Sequence, residues 1–132
     1  MHFVFIFLGV AVLLFSGCAP QELSIKVGTP QEVYSVDGVE SLDGVVVDRK
    51  GRVFFSQGNS VMRLREDGGA EVWASLKKPL GHKIQADGTH IVCDAEERAV
   101  YLLNEEGRIE GKISEAENYG SIGSPNDVCV DE

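Results

Sequence analysis

The cysteine and histidine residues are the first candidates for chemistry, and their spacing argues against most of it. The chain has three of each, and no group of them has the short spacing of a zinc site. Cys93 and Cys129 lie inside the apolar runs Ile91–Cys93 and Val128–Val130, where a buried free thiol is the usual outcome. A Cys93–Cys129 disulfide, which an oxidising compartment would permit, is the alternative.

Cys18 stands directly after an apolar leader. Residues 3–15 are apolar apart from Gly9, which is shorter than the roughly 20 residues of a membrane-spanning helix but typical of a signal peptide. The tetrapeptide Phe15–Cys18 (FSGC) resembles the bacterial lipoprotein cleavage box. We therefore expect a signal peptide over residues 1–17 and lipidation of Cys18. A plain signal peptide or an uncleaved anchor is the alternative.

Lipidation would make the protein an exported, membrane-anchored component of the cell envelope, facing the periplasm or the exterior. Residues 18–30 are polar and turn-prone, and we interpret them as a tether between the anchor and a folded region. The composition, 43% hydrophobic and 25% charged, is that of a globular protein. A net charge of -9 without any run of Lys or Arg argues against nucleic-acid binding, which depends on neutralising phosphates.

The elements that must position any site are short strands. Apolar segments rich in β-branched and aromatic residues alternate with turns that contain Gly, Asp or Asn, and no stretch has the period of a long amphipathic helix. The fold class predicted is all-β. The segments of the first part are Val45–Val47, Val53–Phe55, Val61–Leu64 and Glu71–Trp73.

The strand pattern repeats along the chain. Val61–Gly68 matches Val100–Gly107 at an offset of 39 residues, as does Val45 with Ile84, and Val53–Ser56 matches Ile91–Asp94 at an offset of 38. A third copy begins at Val128–Asp131, 44 residues after Ile84–Asp87. Four-stranded repeats of about 40 residues are typical of β-propeller blades. A sandwich of unrelated hairpins would explain the strands but not the offsets.

On this interpretation residues 31–132 hold two blades and the start of a third, fewer than the roughly four to eight blades of a closed propeller. We therefore expect a fragment or a truncated product. The alternative is a small complete protein that self-associates through its exposed blade faces to close a ring.

Five segments together resemble the senescence-marker-protein/gluconolactonase family of regucalcin-like lactonases, over essentially all of residues 31–132. The last of them, SPNDV, is the most specific. The segments are Asp43–Asp48, Gly51–Ser56, Gly81–Ile84, Gly88–Asp94 and Ser124–Val128.

The resemblance implies a six-bladed propeller with one divalent cation on its axis, held by oxygen ligands. Asn126 takes the position of the family's amide ligand, and Asp43 stands where the family has Glu. Oxygen ligands suit calcium best, with magnesium or zinc as alternatives. Asp43 with Gly44 is also an ordinary turn pair, and Asn126 could cap the turn after Pro125. We expect Asp127 to steady that turn.

The sequence departs from the family pattern at two further positions. Val45 replaces a Pro, and Leu80 replaces an Asn that contacts substrate. His82 and Lys83 follow Gly81 and are candidate substrate-binding replacements, although solvated turn residues are the plainer interpretation. For His90 we expect solvent exposure, and for Trp73 a place in the core between two blades.

The function that the resemblance implies is metal-dependent hydrolysis of a lactone or a related sugar-acid ester. The family's catalytic base is an Asp from a later blade, beyond residue 132, so we expect this chain to be inactive by itself. The alternative is a non-enzymatic, lipid-anchored propeller that binds or scaffolds at the cell envelope, because the fold does not decide between the two functions.

Overall fold

Two four-stranded antiparallel sheets make up most of the described structure, a computed structural model that covers residues 28–38 and 42–131. The sheets have the orders β1-β2-β3-β4 and β5-β6-β7-β8, and a small β9-β10 hairpin follows. All ten strands belong to one folded unit, Gln31–Glu132. The strands are β1 (Leu42–Val47), β2 (Val53–Gln57), β3 (Ser60–Leu64), β4 (Ala70–Ser75), β5 (Pro79–Ile84), β6 (His90–Asp94), β7 (Ala99–Leu103), β8 (Ile109–Ile113), β9 (Glu115–Ala116) and β10 (Gly120–Ser121).

The prediction of an all-β fold is confirmed. Each of the four segments predicted as strands in the first part lies within β1, β2, β3 or β4, and the described residues contain no helix. Across residues 28–38 and 42–131 there is accordingly no helix long and apolar enough to cross a membrane. The expected signal peptide, Cys18 and the tether as far as residue 27 lie outside the described residues.

Equivalent turns connect the first two strands of each sheet. In the first sheet the Asp48 N–H donates to the Arg52 carbonyl at 3.0 Å, and in the second the Gln85 N–H donates to the Thr89 carbonyl at 2.8 Å. Gly51 and Gly88 adopt φ values of 78° and 91° in these turns, a region that glycine enters without a steric cost. The turn chemistry therefore fixes the register of both hairpins.

The strand bounds confirm the repeat and correct part of its alignment. β3 and β4 precede β7 and β8 by 39 residues, as predicted, but β1 and β2 precede β5 and β6 by 37. The predicted offsets of 39 and 38 for these first two strands are wrong. The reason is that two residues connect β2 to β3, whereas four residues, Ala95–Arg98, connect β6 to β7.

The hydrophobic core lies between the two sheets. Phe54, Val61 and Ala74 of the first sheet pack against the second sheet, with Val46 and Trp73 partly buried beside them. The second sheet contributes Val92, Ala99, Tyr101 and Leu103. The inner strands β1 and β5 lie side by side, so their starting residues meet at one end of the molecule.

The opposite face of the first sheet remains largely uncovered. Val45, Val47 and Val72 are 66%, 60% and 59% exposed. On the same sheet Phe55 is buried, and the Tyr34 ring lies 5.1 Å from its ring. The second sheet thus covers one face of the first sheet, whereas valines of both edge strands, β1 and β4, are exposed on the other face.

The sequence predicted that a third repeat begins with a strand at Val128–Asp131, but these residues are not a strand in the structure. β1 and β5 are strands because each pairs with the next strand of its own sheet, whereas residues 127–130 form no ladder with any strand of the described residues. Cys93 and Cys129 are both free, which confirms the interpretation without a disulfide. Cys93 is buried as expected, but Cys129 is exposed.

Candidate functional site

The first residues of the two inner strands meet at a very close backbone approach. Gly44 of β1 adopts a φ of 56°, and a Cβ atom added to it would lie well under 3.0 Å from the Leu80 carbonyl oxygen of β5. Only glycine allows this approach. Gly44 therefore fixes the position of its neighbour Asp43 against the start of the second sheet.

The same approach recurs one step further along the molecule. The Gly81 N–H donates to the Asn126 carbonyl at 2.8 Å, and a Cβ at Gly81 would lie 2.5 Å from the Asp127 Cα and 2.6 Å from the Asn126 oxygen. We call these two contacts the glycine seam. Gly44 lies against the Leu80 carbonyl, and Gly81 lies in the same way against the Asn126 carbonyl. The residues before the two glycines, Asp43 and Leu80, and Asn126 therefore hold equivalent positions in three consecutive segments.

Ser56 ties the seam to the first sheet. Its side chain is 1% exposed, and its hydroxyl donates to the Leu80 carbonyl at 2.7 Å. Ser56 is also the partner of Asp43 in the β1–β2 register. Asp43 and Leu80 are thus positioned by one buried residue. The sequence interpretation missed Ser56, although its alternation with the buried Phe54 places both side chains on the core face.

Asp43 is exposed and lines an open cavity of about 590 Å³ together with Asn59, Lys78 and Leu80. One of its carboxylate oxygens accepts the Gly44 N–H at 2.7 Å, the local turn role considered above. The second oxygen makes no hydrogen bond within residues 28–38 and 42–131. Asp43 therefore combines a turn bond with a carboxylate oxygen directed to solvent or to a ligand.

Asn126 lies at the same end of the molecule, beyond Leu80. Its side chain is exposed and makes no hydrogen bond to any described residue. Asp127 accepts the Val128 N–H at 2.8 Å, which confirms the turn-steadying role expected for it. Within the described ranges no cluster of three or more His, Cys, Asp or Glu side chains is arranged to hold a metal ion. Asp43 and Asn126 thus offer side-chain oxygens at the seam, beside the Asp127 carboxylate.

His82 and Lys83 are adjacent in β5 but differ in solvent exposure. Lys83 is exposed, whereas His82 is 2% exposed and points from β5 into the core between the sheets. There the Nε2 atom of His82 lies 2.8 Å from the Nδ1 atom of His90. Substrate binding by His82 and Lys83 stays a prediction.

The expectation that His90 is solvated is wrong. His90 is 1% exposed, because it opens β6 on the core face, where it pairs with Ile84 and Leu103. The Trp73 ring lies 4.4 Å from His90 and 4.8 Å from Phe54. The predicted place of Trp73 in the core between the sheets is thus confirmed. The period-two pattern His90, Val92, Asp94 was the signal in the sequence that placed His90 inside.

Burial sets the charge of both imidazoles. Loss of hydration, and to a smaller extent the neighbouring His90, lower the pKa of His82 to about 3. Burial also lowers the pKa of His90 to about 4, assisted by the Arg52 charge and opposed by Asp48 and Glu105. Both rings are therefore neutral at pH 7.

A second, smaller cavity lies at the end of the sheets opposite Asp43. It has a volume of about 190 Å³ and is lined by His90 and the charged residues Asp48, Lys50, Arg52 and Glu105. Lys50 pairs with Glu105 at 2.5 Å, and Arg52 pairs with Asp48 at 2.5 Å. These four charges are therefore paired, whereas Arg49 and Asp87, which also line the cavity, form no ion pair with a described residue.

Comparison with known proteins adds no relative to this description. No protein-family model matches the chain, and no curated protein matches it at a significant level.

Proposed function

We propose that the chain is the N-terminal part of a β-propeller, in which each four-stranded sheet is one blade. Three features support the proposal: the consecutive strand order of both sheets, the side-by-side inner strands β1 and β5, and the recurrence of the glycine seam at residues 126–127. Residues 124–131 then form the entry to a third blade. Six blades in total is the number that the family resemblance implies.

We further propose that Asp43 and Asn126 are two protein ligands of a divalent cation, calcium. The observation that carries this is their equivalent position in the glycine seam, with a carboxylate in its first segment and an amide oxygen in its third. Oxygen donors of this kind suit calcium, which takes about six to eight of them. Two donors fit such an ion only in part, so the remaining ligands would be water and residues of later blades.

In this proposal the protein is a metal-dependent hydrolase that opens a lactone or a related cyclic ester. The cation, when bound, would polarise the carbonyl oxygen of the substrate. Asp43 and Asn126 would hold the ion, and Ser56 with the seam glycines would fix their separation. The 590 Å³ cavity beside Asp43 would receive part of the substrate. A lipid on Cys18 would place this activity at the cell envelope.

Calcium binding tests the proposed site directly. We expect isothermal titration of the chain with CaCl₂ to show one weak site, with a Kd of about 10⁻⁴ to 10⁻³ M, the range of sites with few protein ligands. Asp43→Asn and Asn126→Ala should each weaken binding at least about 10-fold. Asn126→Asp should retain it, because a carboxylate replaces an amide oxygen.

The matched control is Asp87→Asn, which removes the same charge from the exposed turn at the opposite end of β5. It should leave the calcium affinity unchanged. Binding that is equally insensitive to Asp43→Asn and Asn126→Ala would refute the ligand assignment.

A non-enzymatic binding or scaffold protein is the second candidate, and one observation favours it. Leu80 holds the middle position of the seam, between Asp43 and Asn126, where an apolar side chain offers neither a ligand nor a substrate contact. The two functions differ in turnover. Because the family's base has no counterpart in this sequence, we expect the purified chain to leave aldonolactones and homoserine lactones intact. Hydrolysis that exceeds the rate in buffer would contradict this expectation.

A further inference from the structure

The two buried histidines form the polar centre of an otherwise apolar interface. His82 and His90 project from neighbouring strands of the second sheet and are 2% and 1% exposed. Phe54 and Trp73 of the first sheet cover them, with rings 4.8 Å and 4.4 Å from the His90 ring. The pair therefore lies where the two sheets are held together, and His82 directly follows Gly81 of the glycine seam.

The hydrogen bonding of the pair leaves no partner for a second proton on His82. One N–H lies between His82 Nε2 and His90 Nδ1, which are 2.8 Å apart. The other nitrogen of His82, Nδ1, is buried and has no partner among the described residues. A protonated imidazole carries two N–H donors, so a proton on His82 would leave a buried, unpaired donor and an uncompensated charge.

Few charges near the pair could offset such a proton. Arg52 lies beside Phe54 and opposes protonation of His90, while Asp48 and Glu105 favour it. Both carboxylates are already paired, Asp48 with Arg52 and Glu105 with Lys50.

The remaining charged groups on the facing strands are also occupied. On β3 and β4, Arg63 and Glu71 pair with each other. On β6, Asp94 is fully buried and accepts backbone N–H groups at the strand end. On β8, Lys112 pairs with Glu97.

We propose that the His82–His90 pair is a pH-sensitive latch between the two sheets, closed while both rings are neutral and released when acid protonates them. This inference goes beyond the proposed hydrolase and does not depend on it. Release would also act on the glycine seam, because β5 carries Leu80 and Gly81 immediately before His82. Protonation of the pair would therefore also disturb the arrangement of Asp43 and Asn126.

The proton uptake of the two histidines on unfolding sets how the stability of the fold depends on pH. Both histidines have a lower pKa in the folded state than the ordinary 6.5, so their stabilisation is complete above pH 6.5 and is lost as the pH falls toward 4. Since two protons are taken up on unfolding, the unfolding equilibrium constant should rise about 200-fold between pH 6.5 and 5.

Trp73 gives the measurement, because it is the only tryptophan in the chain and contacts His90 directly. Urea unfolding of the full chain, followed by Trp73 fluorescence at pH 7.5, 6.5, 5.5 and 5, yields the equilibrium constant at each pH. His82→Phe or His90→Phe alone should reduce the rise to about 15-fold, and the double variant should nearly abolish it. His2→Gln, which removes the third histidine, is the control and should retain the full rise.

An NMR pH titration of the histidine side chains in the folded wild-type protein tests the latch even where a variant fails to fold. Two of the three histidine side chains should stay neutral down to pH 5, and His2→Gln identifies the third signal. The latch is refuted if the His82 and His90 signals titrate near pH 6.5 in the folded protein. An undiminished 200-fold rise in the double variant, or no rise in the wild type, would refute it as well.

Discussion

Gly81 shows how much of the candidate site depends on a missing side chain. Its backbone donates to the Asn126 carbonyl at 2.8 Å, and the Asp127 backbone occupies the space that a Cβ atom would need. A carboxylate oxygen of Asp127 is also close, but the other two nearest atoms belong to the main chain and cannot move aside as a flexible side chain can. The position of Asn126 relative to Leu80 is therefore set by glycine at residue 81.

Replacing Gly81 by Ala should expel residues 126–127 from β5 and lower the free energy of unfolding by about 1–3 kcal/mol. Urea unfolding followed by Trp73 fluorescence measures the change. Gly123→Ala is the matched control, because a Cβ at Gly123 meets nothing within 4 Å, and its effect should stay within about 0.5 kcal/mol. Equal effects of the two substitutions would show that the seam contact is absent in solution.

At the scale of a strand, Asp94 organises the end of β6. Its carboxylate is fully buried, and one oxygen accepts the Lys77 and Lys78 N–H groups at 2.7 Å and 3.1 Å. The other oxygen accepts the Glu96 and Glu97 N–H groups at 3.1 Å and 2.9 Å. One side chain thus joins the loop after β6 to the connection between the two sheets.

Asp94→Asn keeps the shape of the side chain but replaces one acceptor oxygen by an NH₂ group that faces backbone donors. We expect a loss of about 1–3 kcal/mol of folding free energy, because buried N–H groups lose their partner. Urea unfolding at pH 7.5 gives the value. The exposed Asp67→Asn, whose ion pair with Arg65 lies on the surface, should cost clearly less, because solvent screens that pair. A smaller loss for Asp94→Asn than for Asp67→Asn would contradict the assigned role.

The strands themselves were predictable from the sequence, and their connections were not. Short apolar runs between Gly- and Asp-containing turns identified the strands of the first sheet, because turn residues and β-branched residues act locally. The two extra residues after β6 misled the alignment, since matching similar side chains does not reveal which loop absorbs an insertion. Residues 128–130 have the composition of a strand, but a strand also requires a neighbour to pair with.

At the scale of the whole molecule, burial in the candidate site could not be deduced from residue type. His90 reads as a turn residue, yet the second sheet buries it against Trp73, a contact between residues 17 positions apart. Asp43 and Asn126 lie at one end of the unit because Gly44 and Gly81 each allow a segment that is distant in sequence to approach closely. The local sequence pattern does not reveal packing between residues that are distant in the chain.

The packing of the sheets also predicts opposite outcomes at adjacent residues of β1. Val46 packs against the core between the sheets, whereas Val47 is 60% exposed. Val46→Ala should therefore lower the free energy of unfolding by about 1–2 kcal/mol, and Val47→Ala by less than about 0.5 kcal/mol. Thermal or urea unfolding of the two variants tests this. A reversed order would mean that β1 presents its other face to the second sheet.

The β9-β10 hairpin has a practical consequence. Its strands contain two residues each and are exposed, and Tyr119 at its tip is 89% exposed. Loops of this kind accept inserted sequence with little effect on the remaining fold. An epitope or a short reporter peptide placed between Glu117 and Asn118 would label the protein outside the core, the glycine seam and the leader.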